Sequence, residues 1–126
     1  MKKYALPLGL LAGILLLSLW NGAAMRRVTE ELCTSLAQCS DLGRAENWES
    51  AAKILEKTYQ DWSHHQVYLH IVLQHDAVDG AEAMFHRAMA FAKTQEPSEF
   101  SAELAGLISQ LHLLAEMEQL SVRNIL

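Results

Sequence analysis

The chain carries none of the local signatures of catalysis. It lacks Gly-x-Ser-x-Gly, Gly-x-x-x-x-Gly-Lys-Ser, His-Glu-x-x-His and Cys-x-x-Cys, so no motif exposes a nucleophilic serine, cradles a nucleotide phosphate or pairs zinc ligands. No convincing alternation of apolar and polar residues is present either, and strands have no pattern to build from. Basic residues are scarce. Beyond residue 25 stand eight Lys and Arg against fifteen Asp and Glu, a formal charge of −7. Such a domain repels phosphate backbones and anionic headgroups, which argues against nucleic-acid binding and against lying flat on lipid. Cysteine is limited to Cys33 and Cys39. In one predicted helix their rise alone separates them by about 9 Å, which excludes a bridge within that helix. Each is read as a buried or incidental thiol, with pairing between two chains as the other reading.

The largest gap in charge lies at the start. Residues 4–25 are uncharged and mostly apolar, between Lys2-Lys3 and Arg26-Arg27. At about 1.5 Å per helical residue the run is long enough to cross a bilayer core of roughly 30 Å. A cleaved signal peptide has the same ingredients, with Gly22-Ala23-Ala24 as a small-residue cleavage site. The full transmembrane length and the terminal arginine pair favour an uncleaved anchor. Lys2 and Lys3 argue for a cytoplasmic N-terminus, and Arg26 and Arg27 pull the other way under the positive-inside rule. Export of about a hundred residues behind a signal anchor is preferred to translocation of a three-residue tail. Two parts follow: 1–25, a transmembrane anchor or signal peptide, and 26–126, one extracytoplasmic helical domain.

Helical periodicity continues after Met25. Met25, Val28, Leu32 and Leu36 recur every three to four residues, so the anchor is expected to continue as a stalk to about Ser40. Asp41-Leu42-Gly43 should end it, with Gly43 in the left-handed C′ position. Asn47 is a good N-cap for the next helix, with Glu46 and Glu49 near its positive end. Trp48, Ala52, Leu55, Tyr59 and Trp62 form one seam, on which both tryptophans would face the same partner. Ser63-His64-His65 is a candidate break, although nothing there forbids helix, so the residues after Asn47 form either two or three helices. Val67, Ile71, Val78, Phe85 and Met89 resume the stripe, and Gly80 within it suggests close packing or a bend. Pro97 and Ser98 open a last helix, with Ser98 fit to cap it. There Phe100, Leu104, Leu107, Leu111, Leu114 and Glu118 form a narrow seam suited to an antiparallel bundle. The segment from Asn47 to Trp62 looks like half a tetratricopeptide unit, but no second copy follows at a fixed period. The fold class is therefore all-α: an N-terminal transmembrane helix continuing into a small antiparallel helical bundle.

Six histidines invite a metal hypothesis. His75 and Asp79 are i and i+4 on one helix, and His112 and Glu116 repeat the spacing on the last, so the four could share an ion across two facing helices. No metal-specific motif supports them, and His75 with Asp79 is more simply a hydrogen-bonded pair at the edge of the core. His64 and His65 are read as solvated turn residues. No catalytic residue, metal site or cofactor is assigned. A narrow bundle leaves little room for a substrate pocket, so an enzyme is not expected.

Glu46-Asn47-Trp48-Glu49, Trp62, His75 with Asp79, Ala102-Glu103-Leu104 with Leu107, His112 and Glu118, and the closing Asn124-Ile125-Leu126 together resemble domain-of-unknown-function family 4363 over essentially the whole chain. The resemblance implies a short membrane-anchored helical protein of the Firmicutes, especially spore-forming Clostridia, with its domain at the outer face of the cytoplasmic membrane. It also implies that the His75 and Asp79 positions lie on a helix facing the last one. His64, His65, His70 and His86 are extra to the pattern and inherit no role. The function expected is accessory interaction or scaffolding, with a membrane protein or a second copy as partner. The alternative is an extracytoplasmic sensor of ligand, pH or metal ion using His75, Asp79, His112 and Glu116.

Overall fold

A computed structural model describes residues 2–72 and 75–125, with side chains described at all of these except 2, 18, 21, 22, 25, 66–72, 75 and 121–125. Four helices account for it: α1 (Lys2–Arg44), α2 (Trp48–Val72), α3 (His75–Lys93) and α4 (Pro97–Ile125). No strand occurs among the described residues. Each helix packs on its neighbour in sequence, and α1 also packs on α4, while α2 and α4 barely meet across the diagonal. This is an up-down-up-down bundle, the arrangement that short connections impose on amphipathic helices.

The core is made where the predicted stripes converge. Leu32, Leu36 and Cys39 of α1 meet Leu55 and Trp62 of α2, Val78 and Phe85 of α3, and Phe100, Leu104, Leu107, Leu111 and Leu114 of α4. The α4 seam is buried as read from its spacing, including Glu118, which is 1% exposed. The α2 seam sits one residue over from expectation. Ala51, Leu55, Thr58 and Trp62 are buried, Ala52 is exposed, and Trp48 and Tyr59 are half-buried. Nor do the tryptophans share a partner. Trp48 packs edge-on against Phe100 of α4, with ring centroids 5.3 Å apart. Trp62 meets Phe85 of α3 at the same 5.3 Å. Four helical turns separate the two indoles, and over that distance the helix that α2 faces has changed.

Three expected boundaries move, each for a local reason. Gly43 does not end α1 in a left-handed turn, because no glycine has positive φ. A Cβ at position 43 would lie 2.6 Å from Phe100 Cδ1 and 2.8 Å from Cε1, so this glycine is required by close packing of α4. The helix ends one residue later at Arg44, and Glu46 takes the left-handed position with φ 59°. Glu46 N–H donates to Gly43 O at 3.1 Å and Asn47 N–H to Leu42 O at 2.9 Å, the paired bonds of a Schellman motif. The α3–α4 turn repeats this device. Gln95 has φ 56°, its N–H donates to Ala92 O at 3.2 Å, and Glu96 N–H donates to Phe91 O at 3.0 Å.

Pro97 is the first residue of α4, so Glu96, not Ser98, occupies the capping position, and its carbonyl accepts from Phe100 N–H at 2.9 Å. The candidate break at Ser63-His64-His65 is absent. Ser63 Oγ donates to Tyr59 O at 2.9 Å, which satisfies the hydroxyl inside an unbroken α2. Helix α2 runs to Val72 and α3 begins at His75, so three helices follow Asn47 among the described residues. Val67 and Ile71 belong to α2, and their side chains lie outside the described residues.

Among the described residues no helix is long and apolar enough to cross a membrane. Two features of α1 bear on the expected anchor. The undescribed side chains at 18, 21, 22 and 25 fall inside the uncharged run. In addition, α2 and α4 run back alongside α1. Glu31 and Asp61 line the same α1–α2 cleft, and Arg26 and Gln119 line one between α1 and α4. At about 1.5 Å per residue, α2 and α4 therefore both end near the level of residue 20 of α1. What stands clear of the bundle is residues 4–19 of the run, about 24 Å of helix, a few ångströms short of a core of roughly 30 Å. The apolar run is thus one continuous helix with the part of α1 that packs in the bundle.

Two substitution sets test this packing by chemical denaturation. Gly43→Ala should lose about 1–3 kcal/mol to overpacking against Phe100. Gly106→Ala, where a Cβ meets nothing within 4 Å, should gain about 0.5–1 kcal/mol from helix propensity. Equal effects at the two sites would contradict the close approach at Gly43. Glu46→Gly and Gln95→Gly should each stabilise by up to about 1 kcal/mol by relieving left-handed strain; a loss at both would remove the Schellman assignment.

Candidate functional site

Polar groups collect along the sides of α1 just above Arg26 and Arg27. Between α1 and α2 an open cleft of about 390 Å³ is lined by Val28, Glu31, Leu32, Ser35, Lys57, Asp61, His64 and His65. His64 and His65 are thus helical residues on a cleft wall, not turn residues. Between α1 and α4 a second cleft, about 220 Å³, holds Arg26, Thr29, Glu30, His112, Ala115, Glu116 and Gln119. Beneath the first, Trp62 is 1% exposed and its Nε1 has no hydrogen-bond partner.

The proposed four-residue constellation is not assembled. His112 and Glu116 are exposed and share the cleft facing α1. The side of α4 that meets α3 is marked by Gln110, whose Nε2 donates to Ala77 O at 3.0 Å. His112 follows Gln110 by about 200° around the helix and so turns away from α3. Asp79 lies on α3 with its side chain exposed. The His75 side chain lies outside the described residues. No group of three or more His, Cys, Asp or Glu is placed to hold a metal among the described residues.

A polar cluster that the sequence reading did not single out joins α2 to α3. Tyr59 OH donates to Glu82 Oε1 at 2.9 Å. His86 Nε2 lies 3.6 Å from the same oxygen, and its ring centroid is 5.2 Å from that of Tyr59. The hydrogen bond to the Glu82 carboxylate raises the Tyr59 pKa, with burial adding to the effect, so the phenol remains a donor. The i, i+4 spacing of Glu82 and His86 was available in the sequence. Its meeting with Tyr59 required the α2–α3 register.

Neither thiol is reactive. Burial pushes Cys33 up to about 11, assisted by the Glu30 carboxylate, and Cys39 up to about 12. Both are free and buried, so at neutral pH neither supplies a thiolate nucleophile or metal ligand.

An antiparallel all-α bundle with polar clefts flanking an extended first helix is the class of protein these observations define. The chain belongs to a family described as Domain of unknown function (DUF4363), whose model matches residues 19–125. No curated protein and no solved structure matches it.

The thiols make stability fall in alkali. Their folded pKa values lie above the ordinary 9.0, so the folded state holds the protons more tightly. That stabilisation is complete below pH 9 and is lost as pH rises toward 11, on the order of 1 kcal/mol per pH unit per thiol. Denaturant melts at pH 8 and pH 10 should show a smaller alkaline loss for Cys33→Ala/Cys39→Ala than for wild type. Parallel losses would mean the thiols ionise freely.

Proposed function

We propose that the protein is a membrane-anchored accessory or scaffold protein: the start of α1 is held in lipid at the outer face of the cytoplasmic membrane, and the bundle engages a membrane protein or a second copy. The observation that carries this reading is the division of α1. One continuous helix supplies Leu32, Leu36 and Cys39 to the core, and its first part leaves large apolar side chains in the open, Leu6 at 78% and Trp20 at 73% exposed among them. Exposed apolar surface of this extent marks an interaction face. A lipid environment accounts for it with no further protein, and the flanking basic pairs suit the two boundaries. The bundle itself supports binding more than chemistry, because its clefts are open, its thiols are protonated and its polar clusters tie helices together. The sensor reading needed His75, Asp79, His112 and Glu116 together, and His112 with Glu116 opens toward α1, away from Asp79.

Fractionation of cells expressing the tagged full-length chain, followed by in-cell crosslinking and mass spectrometry, tests the proposal. The protein should resist alkaline and high-salt extraction, and Leu11→Arg/Leu15→Arg should release it. Crosslinks to one stoichiometric membrane protein would support an accessory role, and crosslinks to itself a scaffold. Recovery of the wild-type chain in the soluble fraction would sink the anchor.

A further inference from the structure

The formal charge of −5 conceals a separation along the bundle axis. Runs without Asp or Glu occur at several places, among them 83–95 and 104–115 higher on α3 and α4, and three others are residues 2–29, 62–72 and 119–125. These last three are far apart in the chain, and the antiparallel register brings them to one end. Residues 62–72 complete α2 and residues 119–125 complete α4, both descending beside the lower part of α1. At that end Arg26 and Arg27 are exposed, and His64 and His65 line the α1–α2 cleft. On α3 the nearest carboxylate is the exposed Asp76, and Glu30, Glu31, Glu116 and Glu118 stand immediately above the rim.

Apolar exposure follows the same division. Among the described residues, every large hydrophobic side chain left exposed is on α1 between 4 and 20 or is Leu113 or Leu120 of α4. Leu113 and Leu120 are seven residues apart, hence on one face, and Leu120 lies level with Arg26 or below it. None is exposed at the opposite end, near the two Schellman turns.

We infer that this lower end of the bundle, and not α1 alone, sits in the lipid interface, and that its partner there is an anionic headgroup layer. This rests on the proposed anchoring of α1. The clear part of α1 is about 24 Å long and the bilayer core roughly 30 Å thick, so α1 reaches across only when the bundle rim settles into the near leaflet. Immersion of the rim removes the length deficit and covers Leu120. The arginines then stand at headgroup level, where each attracts anionic lipid, and the carboxylates remain above in water. The acidic charge that argues against the domain lying flat on lipid is therefore no obstacle to its standing on end.

Depth measurements on the full-length protein in vesicles test this apart from the anchor. Leu16→Cys, Leu120→Cys and Ala52→Cys would each be labelled with an environment-sensitive fluorophore at neutral pH, where the buried Cys33 and Cys39 thiols stay unreactive. Vesicles of phosphatidylcholine alone, or mixed with phosphatidylglycerol, would carry spin-labelled lipid quenchers, with iodide as the aqueous quencher. Lipid quenchers should remove most emission at positions 16 and 120 and little at 52, with stronger quenching at 120 in the anionic vesicles. Quenching at 16 together with iodide-accessible emission at 120 would overturn the inference and leave the anchor standing. Protection of position 120 from both quenchers would place it in a protein contact and also overturn the inference. Loss of lipid quenching at all three positions would remove both readings. Identical behaviour at 120 in the two vesicle types would overturn the anionic preference.

Discussion

Phe100 against Gly43 is the contact on which the geometry of the bundle depends. The ring occupies the space a side chain at 43 would need, and Trp48 closes over it edge-on. The first turn of α4, the last turn of α1 and the first turn of α2 are thereby held at one level. Below that point the register follows from helical rise. Ser40 and Ser101 hydroxyls pair at 3.2 Å, Cys33 lies opposite Ile108 O, and Arg26 shares a cleft with Gln119. Two Schellman turns at the same end then let both hairpins reverse in three residues, with Glu46 and Gln95 accepting left-handed backbone that glycine would take more cheaply.

Polar contacts elsewhere lock neighbouring helices without forming a reaction centre. Tyr59 and Glu82 bind α2 to α3. Arg87 and Glu103 bind α3 to α4 at 2.6 Å, and Gln110 reaches the Ala77 carbonyl between the same two helices. The ion pair is partly solvated and contributes little to stability. The hydrogen bonds to Glu82 and Ala77 are part-buried and link neighbouring helices directly. These contacts tie α2, α3 and α4 together, and apolar exposure lies at the end opposite the two Schellman turns, a distribution suited to a support held at a surface.

A reading of function follows from that polarity and not from any single site. Lipid anchoring, an anionic interface and a protein partner on the bundle are compatible roles for different levels of one helical axis. The open clefts beside α1 lie above the proposed lipid level, within reach of the proposed membrane partner.

Much of the fold was legible in sequence because it depends on one-dimensional periodicity. The α4 seam from Phe100 to Glu118, the core positions Leu32 and Leu36 and the start of α2 just after Asn47 came from spacing and residue type and stand in the structure, and the family resemblance is matched by the family model. The errors arose where a residue's role depends on what lies across from it. Gly43 looked like a turn glycine because glycine serves both backbone freedom and close approach, and only Phe100 distinguishes the two. His112 and Asp79 looked like partners because i, i+4 spacing fixes neighbours on one helix and says nothing of the angle at which another helix meets it. The length of the uncharged run is a sequence property, whereas the portion left clear depends on how far α2 and α4 descend beside it. Hydrophobic period alone determined the helices and most of their buried faces. The register between helices, an outcome of three-dimensional packing, decided which side chains share a cleft and which apolar residues stay exposed.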